Sequence, residues 1–156
     1  MSLAPFDRTP APVAKKMLEL ARLEPGETLL DIGCGDGAIL AEAARRGARA
    51  IGVDRSAQLV RLARARLRRL KLAQAVELVA GDFRCVRPAR ADVITLYLTT
   101  RGNSEVFQYL KERIRKDCRL VSHDFEIEGA KLIQEEEFEY TPFDKRRILL
   151  YAAYAQ

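Results

Sequence analysis

The sequence lacks the features that mark membrane, secreted and zinc-binding proteins. Among its 156 residues no apolar run approaches the about 20 needed to span a bilayer, and residues 1–8 contain no signal-peptide core. The cysteines are odd in number and far apart, without a CxxC pair, as is typical of reduced structural thiols: Cys34, Cys85 and Cys118. A single histidine argues against a histidine-based zinc site. We therefore expect a soluble cytoplasmic protein without a metal.

The composition predicts one globular domain over residues 1–156. Hydrophobic residues make up 48% and charged residues 31% of the chain, which suits a single core. The net charge of +5 permits an acidic partner without requiring one. Asn103 is the only asparagine, and such scarcity of thermolabile amides suits a thermophile. Within the domain we expect an N-terminal cap segment and helix over residues 1–26 and a terminal β-hairpin over residues 130–156.

The chain is organised around residues 29–37, in which a short apolar strand ends in a glycine turn. The residues that follow, 38–46, have the pattern of a helix. Gly33 and Gly35 allow a tight turn and a close approach of the backbone to a ligand. The free N–H groups at the start of the helix would face that ligand. The unit predicts a nucleotide-binding loop.

The remaining pattern alternates strands with helices. We predict strands at residues 28–32, 49–54, 76–82, 91–98 and 118–125, followed by hairpin strands at 131–140 and 146–154. We predict helices at residues 11–23, 38–46 and 57–71 and from 103 or 104 to 115. The expected caps are Thr9, followed by Pro10 at the first helical position, then Ser56, and Asn103 or Ser104. This order predicts an α/β fold whose parallel sheet has right-handed crossovers.

Three successive strands end in a carboxylate: Asp31, Asp54 and Asp82. In an open parallel sheet these strand ends meet at the edge where ligands bind. Asp54 lies about 20 residues past the loop, where an acid accepts ribose hydroxyls. Asp82 is placed for an adenine amino group, with Phe83 beside the ring, and Asp31 for an ammonium group. Each aspartate alone could be a turn residue or a helix cap, but three on one edge favour a site.

The glycine pattern by itself also fits a dinucleotide. Gly33, Gly35 and Ala38 satisfy G-x-G-x-x-A. However, Asp31 puts a charge near the position where a pyrophosphate needs neutral backbone. The chain also has no second region to hold a hydride acceptor. Both features disfavour NAD.

Three motifs resemble those of class I S-adenosylmethionine-dependent methyltransferases: residues 31–37, 52–54 and 81–83. The resemblance covers nearly the whole chain. It implies a Rossmann-like seven-stranded methyltransferase sheet in the order 3-2-1-4-5-7-6. That sheet is mostly parallel, with a C-terminal antiparallel hairpin and helices on both faces. It also implies S-adenosylmethionine as the cofactor.

Further segments are similar to the small archaeal protein lysine methyltransferases and their mitochondrial relatives. Residues 95–99 and 121–127 look like two of their motifs, and Pro5-Phe6 with Thr9-Pro10 looks like their N-terminal signature. In that signature Phe6 replaces a tyrosine and Arg8 a proline, so this chain lacks the tyrosine hydroxyl at that position. Asp54 stands where many relatives carry glutamate, and its shorter arm still reaches a ribose.

The resemblance and the strand-end pattern together imply two groups of site residues. The cofactor contacts are expected to be Thr9, Asp31, Gly33, Gly35, Asp36, Gly37, Asp54, Arg55, Asp82, Phe83 and Tyr97. The acceptor channel is expected to be shaped by Tyr97, Leu98, Thr99 and His123, with His123 equally well interpreted as a buried structural histidine. We expect no dedicated general base, because solvent can take the proton of a lysine whose pKa is lowered near a sulfonium.

Two runs of charge allow a functional and a structural interpretation. The first recurs at helical spacing and could contact nucleic acid, although we favour a solvated helix face: Arg61, Arg64, Arg68 and Lys71. The second could attract lysine-rich substrates or protect an edge hairpin against aggregation: Glu135, Glu136, Glu137 and Glu139.

The sequence therefore predicts a monomeric protein-lysine N-methyltransferase whose partners are proteins with exposed lysines. An alternative is a methyltransferase acting on RNA or a small molecule. Residues 96–98 read Leu-Tyr-Leu and lack the Asn/Asp-Pro-Pro-aromatic turn of enzymes that methylate base amines, which argues against that activity. A non-catalytic nucleotide-binding subunit is a third interpretation, which the intact loop and the three acids disfavour.

Overall fold

A computed structural model describes residues 8–153 of the protein, as four helices and seven strands with short 3-10 turns. The helices are α1 (Ala11–Leu20), α2 (Ala38–Arg45), α3 (Ala57–Arg69) and α4 (Thr100–Leu110). The strands are β1 (Thr28–Ile32), β2 (Arg49–Asp54), β3 (Val76–Ala80), β4 (Val93–Leu96), β5 (Arg119–His123), β6 (Lys131–Thr141) and β7 (Asp144–Ala152). Two predicted features lie outside the described residues: the Pro5-Phe6 half of the N-terminal signature and the end of the last strand at residue 154.

All seven strands form one sheet in the order β3-β2-β1-β4-β5-β7-β6, which confirms the predicted order. β1 to β5 are parallel to one another, and β7 is antiparallel to both β5 and β6. The chain runs from β1 outward to β3 and then returns to β4, on the other side of β1. The strand order therefore reverses between β1 and β4, and the crevice for a ligand lies at their carboxyl ends.

Helices cover both faces of the sheet, as predicted, because the central strands are apolar on both sides. One core packs α1 and α2 against the sheet, and its largest members include Met17, Leu18, Leu29 and Leu40. The other core packs α4 against the opposite face, and its largest members include Leu30, Ile94, Phe107, Leu110 and Leu120. Together the two cores fix the strands whose ends form the site.

A loop instead of a helix follows β5 and covers part of the second core. Ile127 is buried there, and its backbone N–H donates to the Tyr151 hydroxyl at 3.1 Å. None of the helices within residues 8–153 is long and apolar enough to cross a membrane.

The predicted helix that ends at residue 115 instead begins at Thr100 and ends at Leu110, and two other predicted helices end early for a shared reason. α1 ends at Leu20 and α3 at Arg69, each closed by a residue with a left-handed backbone, Arg22 at φ +54° and Lys71 at φ +60°. After α1, the N–H of residue 23 donates back to the carbonyl of residue 18 at 3.1 Å. Such reversed bonds satisfy the last carbonyls and stop the helix.

The predicted caps were wrong at two helices and right at one. Pro10 occupies the N-cap position of α1, without a side-chain cap bond, and the Thr9 hydroxyl points elsewhere. Thr99 caps α4 by accepting from the Gly102 N–H at 2.9 Å, so Asn103 lies inside the helix. The predicted cap Ser56 does accept from the N–H of residue 59 in α3. The spacing in the sequence could not show that the side chains of Thr9 and Asn103 make tertiary contacts instead of caps.

The acidic run on β6 is largely neutralised by the protein's own cations. Glu135 lies 2.7 Å from Arg147, and Glu136 lies 3.4 Å from Lys16. Glu137 lies 3.4 Å from a lysine across the hairpin turn. This pairing favours a protective role on an exposed edge strand over attraction of lysine-rich substrates.

Candidate functional site

The glycine loop after β1 has a backbone that side chains would strain. Gly33 and Gly37 have φ values of +81° and +88°, in the left-handed region that glycine adopts freely. A Cβ on Gly33 would lie 3.1 Å from the Leu98 side chain. The N–H of Gly33 and that of the next residue both donate to the Val53 carbonyl, at 2.8 and 3.0 Å. The loop is thus tied to the end of β2 and presents its backbone at the switch point.

Asp54 fixes the same loop from the end of β2. One carboxylate oxygen accepts from the Gly35 N–H at 2.9 Å and the other accepts from the Ser56 N–H at 2.8 Å. A carboxylate has about four acceptor sites, so capacity for two ribose hydroxyls is left. Asp54 therefore holds the loop and the start of α3 together while keeping acceptors for a ligand.

Asp31 is a buried carboxyl at the end of β1, with a relative exposure of 3%. Its oxygen accepts from the Thr95 hydroxyl at 2.9 Å. Burial raises the pKa of Asp31 to about 7, and the charge of Asp54 adds to the rise, although the hydrogen bond from Thr95 lowers it. A buried carboxylate held by a hydroxyl and beside another acid favours a cation. The arrangement fits an ammonium group above the loop.

A ligand whose ammonium group binds Asp31 is expected to bind with a pH-dependent affinity. Such a ligand needs the ionised form of Asp31, whose fraction rises about fivefold from pH 6 to pH 7, and we expect the affinity to rise by about the same factor. Without ligand, the Asp31 carboxyl of the folded chain stays protonated up to about pH 7, whereas in the unfolded chain it loses its proton near pH 4. The stability of the ligand-free protein is therefore expected to fall from about pH 4 to about pH 7. Calorimetric titrations measure the affinity over this pH range, and thermal melts measure the stability. Asp31→Asn should flatten both pH profiles. Unchanged slopes in that variant would contradict the assignment of the pH dependence to Asp31.

Asp82 and Phe83 lie past the end of β3, where the sequence predicts adenine contacts, but both side chains already have partners. The Asp82 carboxylate accepts from Arg55 at 2.7 Å and from the Arg84 guanidinium at 3.0 Å. The backbone N–H of Arg84 also donates to it and is the largest cause holding its pKa below the usual value. Phe83 is buried edge-on against Tyr109, with Arg84 over its ring at 4.4 Å. Arg84, which the sequence did not single out, is thus part of this end of the site.

Asp36, predicted as a cofactor contact, joins three parts of the chain. It lies 2.8 Å from Arg8, just before α1, and 3.4 Å from Arg66 on α3. Only 12% of its side chain is exposed. Asp36 therefore connects the glycine loop to the N-terminal segment and to α3.

The predicted acceptor residues meet at the ends of β4 and β5. The Tyr97 ring stacks on His123 with centroids 4.0 Å apart, and it stacks on Phe125 at 5.8 Å. His123 is fully buried behind Tyr97; its Nδ1 lies 3.4 Å from the Thr9 hydroxyl and its Nε2 3.0 Å from Arg146. His123 and Thr9 thus support the Tyr97 ring from behind, while Tyr97, Leu98 and Thr99 are half-buried at the surface.

Two residues that the sequence did not assign to the site brace this edge. Asn103 is fully buried; its oxygen accepts from the Leu98 N–H at 3.1 Å, and its amide donates to the Ser122 hydroxyl and the Phe125 carbonyl, each at 3.0 Å. Arg146 on β7 reaches His123 and is held by Asp144 at 2.7 Å. The one signal in the sequence was that Asn103 is the sole asparagine. Nothing distinguishes residue 146 from the other arginines.

Comparison with known proteins gives one family match and several relatives. The model of the ANTKMT methyltransferase domain matches residues 31–134. A protein-lysine N-methyltransferase of Saccharolobus islandicus (strain REY15A) is 33% identical over 127 residues, which are 80% of this chain and 79% of that protein. A protein-L-isoaspartate O-methyltransferase of Methylorubrum populi is 38% identical over 105 residues, 67% of this chain but 48% of that protein.

Among the solved structures that resemble this chain, one combines high coverage with more than 30% identity. It is the crystal structure of an RNA methyltransferase from Salinibacter ruber in complex with S-adenosyl-L-homocysteine. The likeness covers 94% of each chain, with a TM-score of 0.87 and 32% sequence identity. The two relatives and this structure are described as acting on different acceptors, and all three are described as methyltransferases.

Proposed function

The chain belongs to the ANTKMT methyltransferase domain family and is an S-adenosylmethionine-dependent methyltransferase, and we propose that its methyl acceptors are lysine side chains of proteins. The observation that carries the proposal is the similarity to a protein-lysine N-methyltransferase, which extends over four-fifths of both proteins. The fold and the glycine loop are common to methyltransferases of many acceptors. The acceptor edge must therefore supply the specificity.

We propose that the described loop and strand-end acids hold the cofactor, which supplies a methyl group on a sulfonium. Asp31 would bind the ammonium group, Asp54 the ribose hydroxyls, and the loop N–H groups the carboxylate. For Asp82 to bind the adenine amino group, its ion pairs with Arg55 and Arg84 must rearrange or share the carboxylate. The loop fits this ligand because Gly33, Gly35 and Gly37 have no side chains, so their backbone can approach it closely.

On the acceptor side, the described residues suit a neutral amine on an aliphatic stem. The half-buried Tyr97 ring, backed by His123 and beside Phe125, offers an aromatic wall for the stem. The nearby acid Asp124 accepts from the Arg147 N–H at 2.8 Å and lies 3.8 Å from Arg146, so it is engaged structurally. The enzyme's contribution is then alignment of the amine with the methyl group. Partial burial lowers the amine pKa, and solvent takes the proton.

RNA is the second candidate acceptor, because the solved structure with the same fold is described as an RNA methyltransferase. The end of β4 argues against methylation of a base amine. It reads Leu96-Tyr97-Leu98 and lacks the Asn/Asp-Pro-Pro-aromatic turn. A lysine acceptor and an RNA acceptor predict different labelled products, and a single assay separates them.

The test is transfer of a radiolabelled methyl group from S-adenosylmethionine to a lysate of the source cells. We expect label that survives nuclease, is lost with protease and is found on lysine by mass spectrometry. Tyr97→Ala should lower the rate more than tenfold, because the amine loses its aromatic wall. Tyr140→Ala, which removes an exposed hairpin aromatic, is the matched control and should leave the rate unchanged. Label that is lost with nuclease and survives protease would replace lysine with RNA as the acceptor.

A further inference from the structure

The positive charge of the protein is concentrated in one helix and the residues that end it. Of 27 cationic and 22 acidic residues in the chain, six cations and no acid fall within residues 57–71, which comprise α3 and its C-terminal turn. The rest of the chain therefore has 21 cations and 22 acids and is close to neutral. A net charge confined to one surface element attracts a polyanion to that element.

Five of these cations are exposed and make no ion pair with any of residues 8–153: Arg61, Arg64, Arg68, Arg69 and Lys71. The sixth, Arg66, pairs with Asp36 beside the glycine loop. The opposite side of α3 is apolar and packs inward through Val60, Ala63 and Leu67. The acidic run on β6, in contrast, is paired with the protein's own cations. The cations of α3 are thus available to an external partner.

A surface groove lies beside this row of cations, between α3 and the edge strand β3. Arg64 and Arg68 line it, together with four apolar residues: Leu67, Ala73, Val76 and Leu78. Glu77 lies between Val76 and Leu78 in β3, so its side chain is on the other face of the strand, where it pairs with Arg90 at 3.2 Å. The groove therefore combines cations with an aliphatic surface and has no acid in its lining.

The spacing of the cations suits a chain of phosphates. Arg61, Arg64 and Arg68 follow one another at three- and four-residue steps on α3 and extend over about 10 Å at 1.5 Å per residue, and Lys71 follows in the C-terminal turn. We propose that α3 and the groove beside it bind single-stranded nucleic acid. The cations contact successive phosphates, and a base or ribose lies on the aliphatic surface between Arg64 and Arg68.

A single strand fits this surface better than other polyanions do. A duplex offers phosphates to the cations but keeps its bases stacked away from the groove. An acidic peptide offers negative charges to the cations but has no flat group like a base to lie on the aliphatic surface of the groove. A single strand supplies both, as arginine and apolar surface do in other single-strand binding sites.

This surface is separate from the acceptor edge. α3 begins at the carboxyl end of β2, beside the cofactor loop, and runs back toward the other edge of the sheet, where β3 starts. The proposal therefore describes a docking site and stands whether the methyl acceptor is a lysine or not. It also gives a role to the run of charge that the sequence alone favoured as a solvated face.

The test is fluorescence anisotropy of a labelled 20-nucleotide single strand of uridine or thymidine, titrated with the full chain at several salt concentrations. Four phosphate contacts predict a slope of log affinity against log salt of about −3. The triple variant Arg61→Gln, Arg64→Gln, Arg68→Gln should bind more than tenfold more weakly at low salt, with a slope nearer −1. The matched control removes the same charge from three exposed cations elsewhere: Lys15→Gln, Arg87→Gln, Lys116→Gln. It should bind like the wild type.

Three results would overturn the proposal. The first is equal loss of binding in the two triple variants, which would indicate a response to net charge alone. The second is tighter binding of a duplex of the same length, and the third is equal competition by polyglutamate of matched charge. Calorimetric binding of S-adenosylmethionine, expected to be unchanged in the α3 variant, shows that a loss of strand binding does not reflect unfolding.

Discussion

The substitution Asp54→Ala is expected to weaken binding of S-adenosylmethionine about 100-fold, or roughly 3 kcal/mol. The side chain has two tasks in the structure, and alanine removes both. It accepts from the Gly35 N–H at 2.9 Å and from the Ser56 N–H at 2.8 Å, which fixes the glycine loop. It is also the acid placed for the ribose hydroxyls. Isothermal titration calorimetry with the purified chain measures the loss.

Two further variants separate these tasks from a general loss of charge. Asp54→Glu keeps a carboxylate that reaches the ribose, so its affinity should stay within about tenfold of the wild type. Asp117→Ala removes an exposed acid whose side chain is 82% accessible, and it should bind the cofactor normally. Affinity of Asp54→Ala within threefold of the wild type would show that Asp54 does not contact the cofactor. A thermal melt of each variant verifies that the sheet is intact.

The glycine loop and the acids that follow the strands could be predicted because local chemistry fixes them. A left-handed turn needs glycine, as Gly33 and Gly37 show, and parallel strands bring their carboxyl ends to one edge. Asp31 and Asp54 therefore lie where the sequence placed them, on adjacent paired strands. Strand order followed from the resemblance to a known fold, and the structure confirms it.

The contacts of the acceptor edge could not be predicted, because they join residues far apart in the chain. Thr9 looked like a helix cap by its spacing, yet its hydroxyl meets His123, which is 114 residues away. At the cofactor end, Arg55 was expected to contact the cofactor but pairs with Asp82, and Arg84, which looked like one of many surface arginines, pairs with the same carboxylate. Asn103 looked like a cap for the same reason as Thr9. A polar residue near a helix start has both a local and a tertiary use, and only packing decides between them.

Asn103→Ala is expected to lower the free energy of unfolding by about 3–5 kcal/mol. The side chain is fully buried, and its amide bonds to Leu98, Ser122 and Phe125 join the end of β4, the end of β5 and the loop after β5. Alanine leaves the Leu98 N–H without its acceptor, removes a bond to each of the other two residues and opens a cavity. Urea denaturation monitored by circular dichroism measures the difference.

The isosteric variant Asn103→Asp distinguishes hydrogen bonding from packing. It keeps the volume and the acceptor for the Leu98 N–H, but it replaces the amide donor with an oxygen that faces the Phe125 carbonyl. A loss similar to that of alanine is expected, because a buried carboxylate would keep only the Leu98 N–H as a backbone donor while its other oxygen faces a carbonyl oxygen. Glu105→Ala, which removes an exposed acid paired with Arg101 on the same helix, should change stability by less than about 0.5 kcal/mol. A stable Asn103→Asp would show that the two bonds donated by the amide are not required there.

The substitution Asn103→Ala should also affect methyl transfer more than cofactor binding. Leu98 and Phe125, which Asn103 positions, border the Tyr97 ring at the acceptor edge, whereas the ribose and ammonium contacts that we propose come from β1 and β2. At a temperature where Asn103→Ala remains folded, we therefore expect S-adenosylmethionine affinity within about threefold of the wild type and a transfer rate reduced more than tenfold. Equal losses of binding and transfer would instead mean that the two edges of the crevice form one cooperative unit. In that case the buried asparagine would support the whole site and not the acceptor edge alone.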